Sequence, residues 1–219
     1  LYPINSYLNN EKTKQEIRKD EHGHEISFIK NQYFYEALYW RSRIHMKTYY
    51  YSFARSGFEE VSASLNYKEN EKIISCLFFK AKATFFLGQY KLALKDFDNL
   101  NALYSIDEFY KNNFNEETVF YIARSYFELA KFDKAIQKFL LLTAGYENRE
   151  PHSKLIRNAY YWLGESYYCK GLLNEAIKSY QVILNFGTYA EKENVHYSMG
   201  WALFEKGDLA SKDAAKKQF

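Results

Sequence analysis

The chain has 219 residues, of which 47% are hydrophobic and 20% aromatic, with 22 Tyr, 18 Phe, 9 Gly and 2 Pro; this excludes wholesale disorder and leaves too little turn material for an all-β fold. A net charge of +3, with Lys and Arg interspersed among Asp and Glu, gives no nucleic-acid footprint. Apolar runs such as "FLLLTA" from Phe139 are too short to cross a bilayer, and two cysteines, Cys76 and Cys169, make no disulfide framework.

The chain opens at Leu1 rather than Met and ends in "SKDAAKKQF", so it reads as a processed or excised piece. Residues 1–70 read as an N-terminal helical extension. Its first part is irregular and polar up to Glu25. The group "DEHGHE" gathers Glu21, His22, His24 and Glu25, but no distant third ligand accompanies the histidines, and a solvated linker is the better reading. From Phe28 and Ile29 through Tyr33, Phe34, Ala37, Leu38, Trp40, Ile44, Tyr51 and Phe53 the apolar residues suit a helical face, with Gly57 as its stop. "FEEVSASLNY" would then fold back as a partner helix, making a degenerate hairpin with Gly57 at its turn.

Residues 71–219 carry a repeat, read as units at about 71–110, 114–150, 154–190 and 192–219, the last incomplete. Gly164, Gly171, Ala176 and Tyr180 form a template that returns as Ala81, Gly88, Ala93 and Phe97, and as Ala123, Lys131, Ala135 and Phe139. A half-match follows at Gly200 and Gly207, with Lys212 and Lys216 in the later positions. The small residue recurs after 42, 41 and 36 residues. Each part has a physical task. The first small residue admits a close helix approach, the turn glycine ends the first helix, the Ala seats the returning helix, and a ring four residues later fills the wedge. Loops near 105–115 and 145–151 account for the unusual length.

The order of Leu163-Gly164, Tyr167, Gly171, Ala176 and Tyr180 in "WLGESYYCKGLLNEAIKSY" resembles the tetratricopeptide repeat (TPR). The resemblance implies an all-α, right-handed superhelical solenoid of antiparallel helix hairpins that binds protein or peptide partners without catalysis. "AYYWLGESYYCKG" and the repeat length resemble bacterial envelope TPR proteins of the Tol–Pal-associated coordinator and outer-membrane assembly lipoprotein type, which implies a periplasmic or envelope setting, with the cytoplasm as the alternative.

In TPR arrays the first helices line the concave wall. Three residues before the small position stand Phe78, Phe120, Tyr161 and Tyr197, and four after it stand Phe85, Phe127, Tyr168 and Phe204. The two sets lie seven residues apart, on one helical face. One residue after the small position stand Lys82, Arg124, Glu165 and Trp201. Together the twelve read as an aromatic groove with a cationic half and an acidic spot, suited to a partner segment with aromatic or aliphatic anchors; the competing reading makes the rings inter-repeat core. The family's chaperone-type clamp for a C-terminal carboxylate uses Asn and Lys at groove positions; Asn158 and Asn194 recur in the groove register, but aromatics replace most of that pattern.

No nucleotide, metalloprotease or nucleophile-elbow motif is found, His45, His152 and His196 are scattered, and neither cysteine sits in a CxxC pair. The reading is therefore a non-catalytic interaction scaffold with no cofactor or metal and no membrane span, and with homo-oligomerisation open. The alternatives are a helical accessory domain of a larger enzyme and a self-assembling structural component, for example of a spirochaete periplasmic flagellar structure.

Overall fold

The computed structural model describes residues 15–19, 25–29, 32–64, 70–144, 153–185, 192–207 and 209–218. Two short strands, β1 (Gln15–Lys19) and β2 (Glu25–Ile29), pair antiparallel with Ile17 opposite Ser27. Phe28 and Ile29 thus close a strand and do not open a helix, as the apolar spacing suggests. The group His22 and His24 lies outside the described residues.

Eleven helices follow among the described residues. Ten of them form five antiparallel hairpins: α1 (Gln32–Lys47) with α2 (Tyr51–Ser64), α3 (Asn70–Phe86) with α4 (Tyr90–Tyr104), α6 (Asn115–Glu128) with α7 (Phe132–Thr143), α8 (Lys154–Cys169) with α9 (Leu173–Asn185), and α10 (Lys192–Lys206) with α11 (Leu209–Lys216). The remaining helix, α5 (Glu108–Asn113), is inserted between the second and third hairpins. Each second helix packs on its own first helix and on the first helix of the next hairpin. The fold is thus an all-α TPR-like solenoid.

One backbone device closes every hairpin. Tyr49, Gly88, Ala130, Gly171 and Gly207 all have left-handed φ, between +53° and +83°. At Gly171 the amide donates to the Tyr168 carbonyl and the Leu172 amide to the Tyr167 carbonyl, the paired bonds of a Schellman cap. The same pair recurs at Gly88–Gln89 and Ala130–Lys131. This corrects two expectations. The turn position of the third hairpin is Ala130 and not Lys131. In the first hairpin it is Tyr49, while Gly57 lies inside α2, buried, where an added Cβ would stand 2.0 Å from the Ser42 hydroxyl oxygen.

With Tyr49 as the turn, the first hairpin joins the repeat in full register. Ser42 takes the small position, Ala54 the seat and Phe58 the wedge, all with no exposed surface. The Ser42 hydroxyl, removed from water, donates to the Leu38 carbonyl at 2.8 Å. The region 105–115, expected as loop, holds α5: the Asp107 carboxylate accepts from the Tyr110 amide at 3.0 Å, and the Tyr110 ring is buried. In the last hairpin Lys212 is exposed, and Ser211 and Ala215 face inward instead.

The cost of helical glycine at Gly164 is explained by its neighbour, since a Cβ there would lie 2.4 Å from the buried Tyr180 ring. Gly171 has nothing within 4 Å of such a Cβ, so only backbone strain opposes substitution. Gly164→Ala is expected to lower stability by about 1–3 kcal/mol through overpacking. Gly171→Ala should cost about 1 kcal/mol, the left-handed strain less the unfolded-state gain. Urea unfolding of both variants checks the ranking; equal losses would count against the Tyr180 contact as the reason for Gly164.

Candidate functional site

The first helices meet along a repeated seam. The residue two before each small position is a ring in the second, third and fourth hairpins: Phe79, Tyr121 and Trp162. A cation one after the small position of the preceding hairpin lies over it. The Arg43 guanidinium is 4.0 Å from the Phe79 ring centre, the Lys82 ammonium 5.2 Å from that of Tyr121, and the Arg124 guanidinium 3.3 Å from that of Trp162. Such contacts are worth roughly 0.5–2 kcal/mol each, more where water is excluded. Rings four after the small position join them, with Phe85 on Tyr121 and Phe127 on Trp162 at 5.1 and 5.0 Å. Lys82 also pairs with Glu117, and Arg124 with Glu128.

Beside this seam lies a cleft of about 280 Å³. Its walls are the rings of Phe85, Phe86, Phe120, Tyr121, Tyr161 and Trp162, and its polar groups are Arg124, Arg157, Asn158 and Asn194. A second cavity of about 660 Å³ adjoins it through the shared residues Phe120, Tyr121 and Asn158. Lys111, Asn112, Asn113, Asn115, Glu116 and Lys154 make that second part polar. Burial lowers the Arg124 pKa against the opposing pull of Glu128, and burial raises that of Tyr161. Arginine nevertheless keeps its charge in proteins, so the cleft lining includes a cation that lies over an indole.

The twelve residues singled out from the sequence do not share one environment. Phe78 is wholly buried and stacks on Phe114 at 4.6 Å, so it belongs to the core and not to a groove surface. Phe85 and Phe120, exposed by only 6% and 7%, line the cleft with little accessible surface. Lys82, Arg124 and Phe127 are seam residues, and Arg124 also reaches the cleft. Tyr161 lines the cleft, 3.4 Å through its hydroxyl from that of Ser198. Glu165 accepts a hydrogen bond from the Tyr180 hydroxyl at 2.8 Å, and Glu205 one from Tyr168. Tyr197, Trp201 and Phe204 form an exposed aromatic row on α10 and line neither cavity.

Sequence reasoning missed Phe86, Tyr121, Trp162 and Arg157 as cleft residues and undervalued Asn158 and Asn194. The signal for the rings was present as the recurrence of Phe79, Tyr121 and Trp162 at one register. Among the described residues no group of three or more His, Cys, Asp or Glu could hold a metal ion, and no helix is long and apolar enough to cross a membrane.

No protein-family model matches the chain, and no curated protein matches it. Solved structures do. MamA (residues 41 to the end) from Desulfovibrio magneticus RS-1 superposes with a TM-score of 0.65 at 17% identity, covering 84% of this chain and 90% of that one. The TPR-like repeats of a putative kinesin light chain from Podospora anserina give 0.65 at 14%, covering 84% and 92%. BtubC (BKLC) from P. vanneervenii gives 0.65 at 15%, covering 85% and 80%. These likenesses establish the fold.

Two outcomes follow from the seam. Arg124→Lys keeps the charge but loses the plane that lies on Trp162; a drop of about 1 kcal/mol in unfolding free energy is expected, measured by urea titration. The hydrogen bond to Glu205, aided by burial, pushes the Tyr168 phenol up to about 12. Its protonated form is therefore favoured by folding, and that stabilisation, complete below pH 10, is lost as pH rises from 10 to 12. Tyr168→Phe should flatten the fall of the thermal midpoint over that window.

Proposed function

We propose that the chain is a non-catalytic scaffold that holds a segment of a partner protein in the paired cavities between α3, α6, α8 and α10. The observation that carries this reading is the division of labour within the cleft. One half is walled by rings with Arg124, Arg157, Asn158 and Asn194 among them, and the adjoining half, which shares Asn158, is lined by Asn112, Asn113 and Asn115 with charged Lys and Glu side chains. A carboxamide both donates and accepts, as a peptide group does, so an asparagine row can pair with an extended main chain whatever its sequence. The aromatic half, at about 280 Å³, is the size of a single large side chain with its neighbours and would select the anchor. The partner is thus an extended segment with one aromatic or large aliphatic anchor. The periplasm or envelope is the proposed setting, resting on the resemblance of "AYYWLGESYYCKG" and on the repeat length.

A displayed peptide library selected on the immobilised chain tests this. Enriched peptides should share one large apolar anchor and bind the Asn158→Ala, Asn194→Ala double variant at least about tenfold more weakly, a loss of about 1.4 kcal/mol. Both asparagines lie outside the buried core, so the variant should keep its thermal midpoint. Peptides that bind wild type and variant equally would move the partner surface elsewhere.

A further inference from the structure

Because each hairpin is antiparallel and its second helix packs on the next first helix, all the first helices run in one direction. The hairpin turns therefore lie along one edge of the solenoid. The residue just before the seat of each second helix faces out at that edge, as Phe53, Leu92, Lys134 and Glu175 do. The last three belong to hairpins flanked on both sides, so exposure here is a property of the register and not of an array end.

What differs along the edge is its chemistry. In the third and fourth hairpins the register carries charge, at Lys134 and Glu175, whereas in the first two it is apolar. Tyr49 and Tyr50 form the first turn, 77% and 57% exposed, and Phe53 follows at 64%. Phe86, Leu87 and Leu92 are exposed at the second turn. Ring contacts join these residues into one surface. Tyr50 and Phe53 lie 6.4 Å apart and both touch His45, Tyr49 lies 6.1 Å from Tyr51, and Tyr51 stacks on Phe86 at 4.9 Å, bridging the two hairpins. A contiguous apolar patch of this kind marks an interaction surface.

The charge around the patch has one sign. Residues 37–58 and 72–95, which include both turns, hold nine Lys and Arg and no Asp or Glu, in a chain whose net charge is only +3. Lys72, Lys80 and Lys82 are matched by Glu36, Glu59 and Glu117 on neighbouring helices. Lys47 and Lys91 stand exposed at the two turns, beside the rings.

We propose that the turns of the first two hairpins dock on the headgroup surface of an anionic lipid bilayer, with Tyr49, Tyr50 and Phe53 entering the interface and Lys47 and Lys91 facing the headgroups. Three features select this occupant. The rings sit at hairpin tips, and Tyr49, Tyr50 and Phe53 line neither cavity, so they are placed to enter a soft surface and not to enclose a peptide. A tyrosine joins an apolar ring to a polar tip, which suits the headgroup level. Cations without neighbouring carboxylates match the negative potential of anionic lipid, and apolar area with such charge is what interfacial binding requires. The contact is peripheral, since no helix among the described residues is long and apolar enough to span a membrane. It leaves the peptide cleft of the proposed function untouched, so either reading can fail alone.

Co-sedimentation of the 219-residue chain with vesicles of phosphatidylcholine, with and without phosphatidylglycerol, tests the inference. Two variants are compared with wild type: Tyr49→Asn, Tyr50→Ser, Phe53→Ser, in which Asn tolerates the left-handed turn position, and Lys47→Gln, Lys91→Gln. All five side chains are exposed, so circular dichroism should show unchanged helicity. Wild type should bind the phosphatidylglycerol vesicles, release them in high salt and bind pure phosphatidylcholine weakly. Each variant should bind the anionic vesicles at least about tenfold more weakly. Wild type that leaves anionic vesicles unbound would overturn the inference, as would equal binding to both kinds of vesicle. Folded variants that bind as wild type does would overturn it too, placing the lipid contact on another surface. Acidic peptides that bind wild type but not the triple variant, with vesicles left unbound, would assign the patch to a protein instead.

Discussion

A flat cation over a flat ring, one hairpin's residue upon the next hairpin's, governs how the array is built. A TPR-like hairpin cannot bury both of its faces alone, and in repeat arrays the nearest-neighbour interface supplies much of the stability. Here that interface is more polar than a purely aliphatic seam, because Arg43, Lys82 and Arg124 stand in it at equivalent places. Burying a guanidinium is costly unless it is paired. Arg124 meets the requirement in part, with Glu128 on one side and the Trp162 face 3.3 Å away on the other, while its buried Nε finds no acceptor among the described residues. The geometry that satisfies the cation also sets the spacing of α6 and α8, and that spacing opens the cleft beside them.

The same constraint explains a gradient along the chain. Three before the small position, burial falls from Phe78, wholly enclosed, through Phe120 and the half-buried Tyr161 to Tyr197, which is 58% exposed. Four after it, Phe85 is buried, Phe127 and Tyr168 are half-buried and Phe204 is exposed. Residue type follows in part: Phe78, Phe85 and Phe120 are enclosed, and the tyrosines Tyr161 and Tyr168 stand where a hydroxyl finds Ser198 or Glu205, while Phe204 stays apolar though exposed. One register therefore serves as core at one end of the array and as surface at the other.

How far the sequence could be read depended on whether a position admits one residue type or several. The solenoid was legible because a helix seated on the Tyr180 ring tolerates only the hydrogen of Gly164, and a left-handed turn prefers Gly88, Gly171 and Gly207. The first hairpin was illegible for the same reason reversed. Ser42 and Tyr49 fill positions where Ala and Gly are easy to recognise, while Gly57 drew attention as a turn although it serves close packing against Ser42. In the third hairpin Ala130 holds a left-handed φ of 53° at a strain cost, which displaced the inferred turn by one residue. The strand pair at 15–29 gave no alternation strong enough to compete with the helical spacing that begins at Phe28.

The candidate site was half legible, and the reason is physical. An aromatic at helical spacing in a first helix serves either the seam or the cleft, and the side on which it falls is decided by its partner in the next hairpin. Lys82 and Arg124 are alike as letters, yet Lys82 is drawn to Glu117 whereas Arg124 lies on an indole with one flank toward the cleft. Asn158 and Asn194 enter the cleft because they stand six before the small position, the place that Glu117 uses for an ion pair. A carboxamide at that register frees the wall from charge neutralisation and turns a structural position into one able to pair with a foreign backbone. The same geometry that stacks the hairpins thus decides which side chains remain available to a partner.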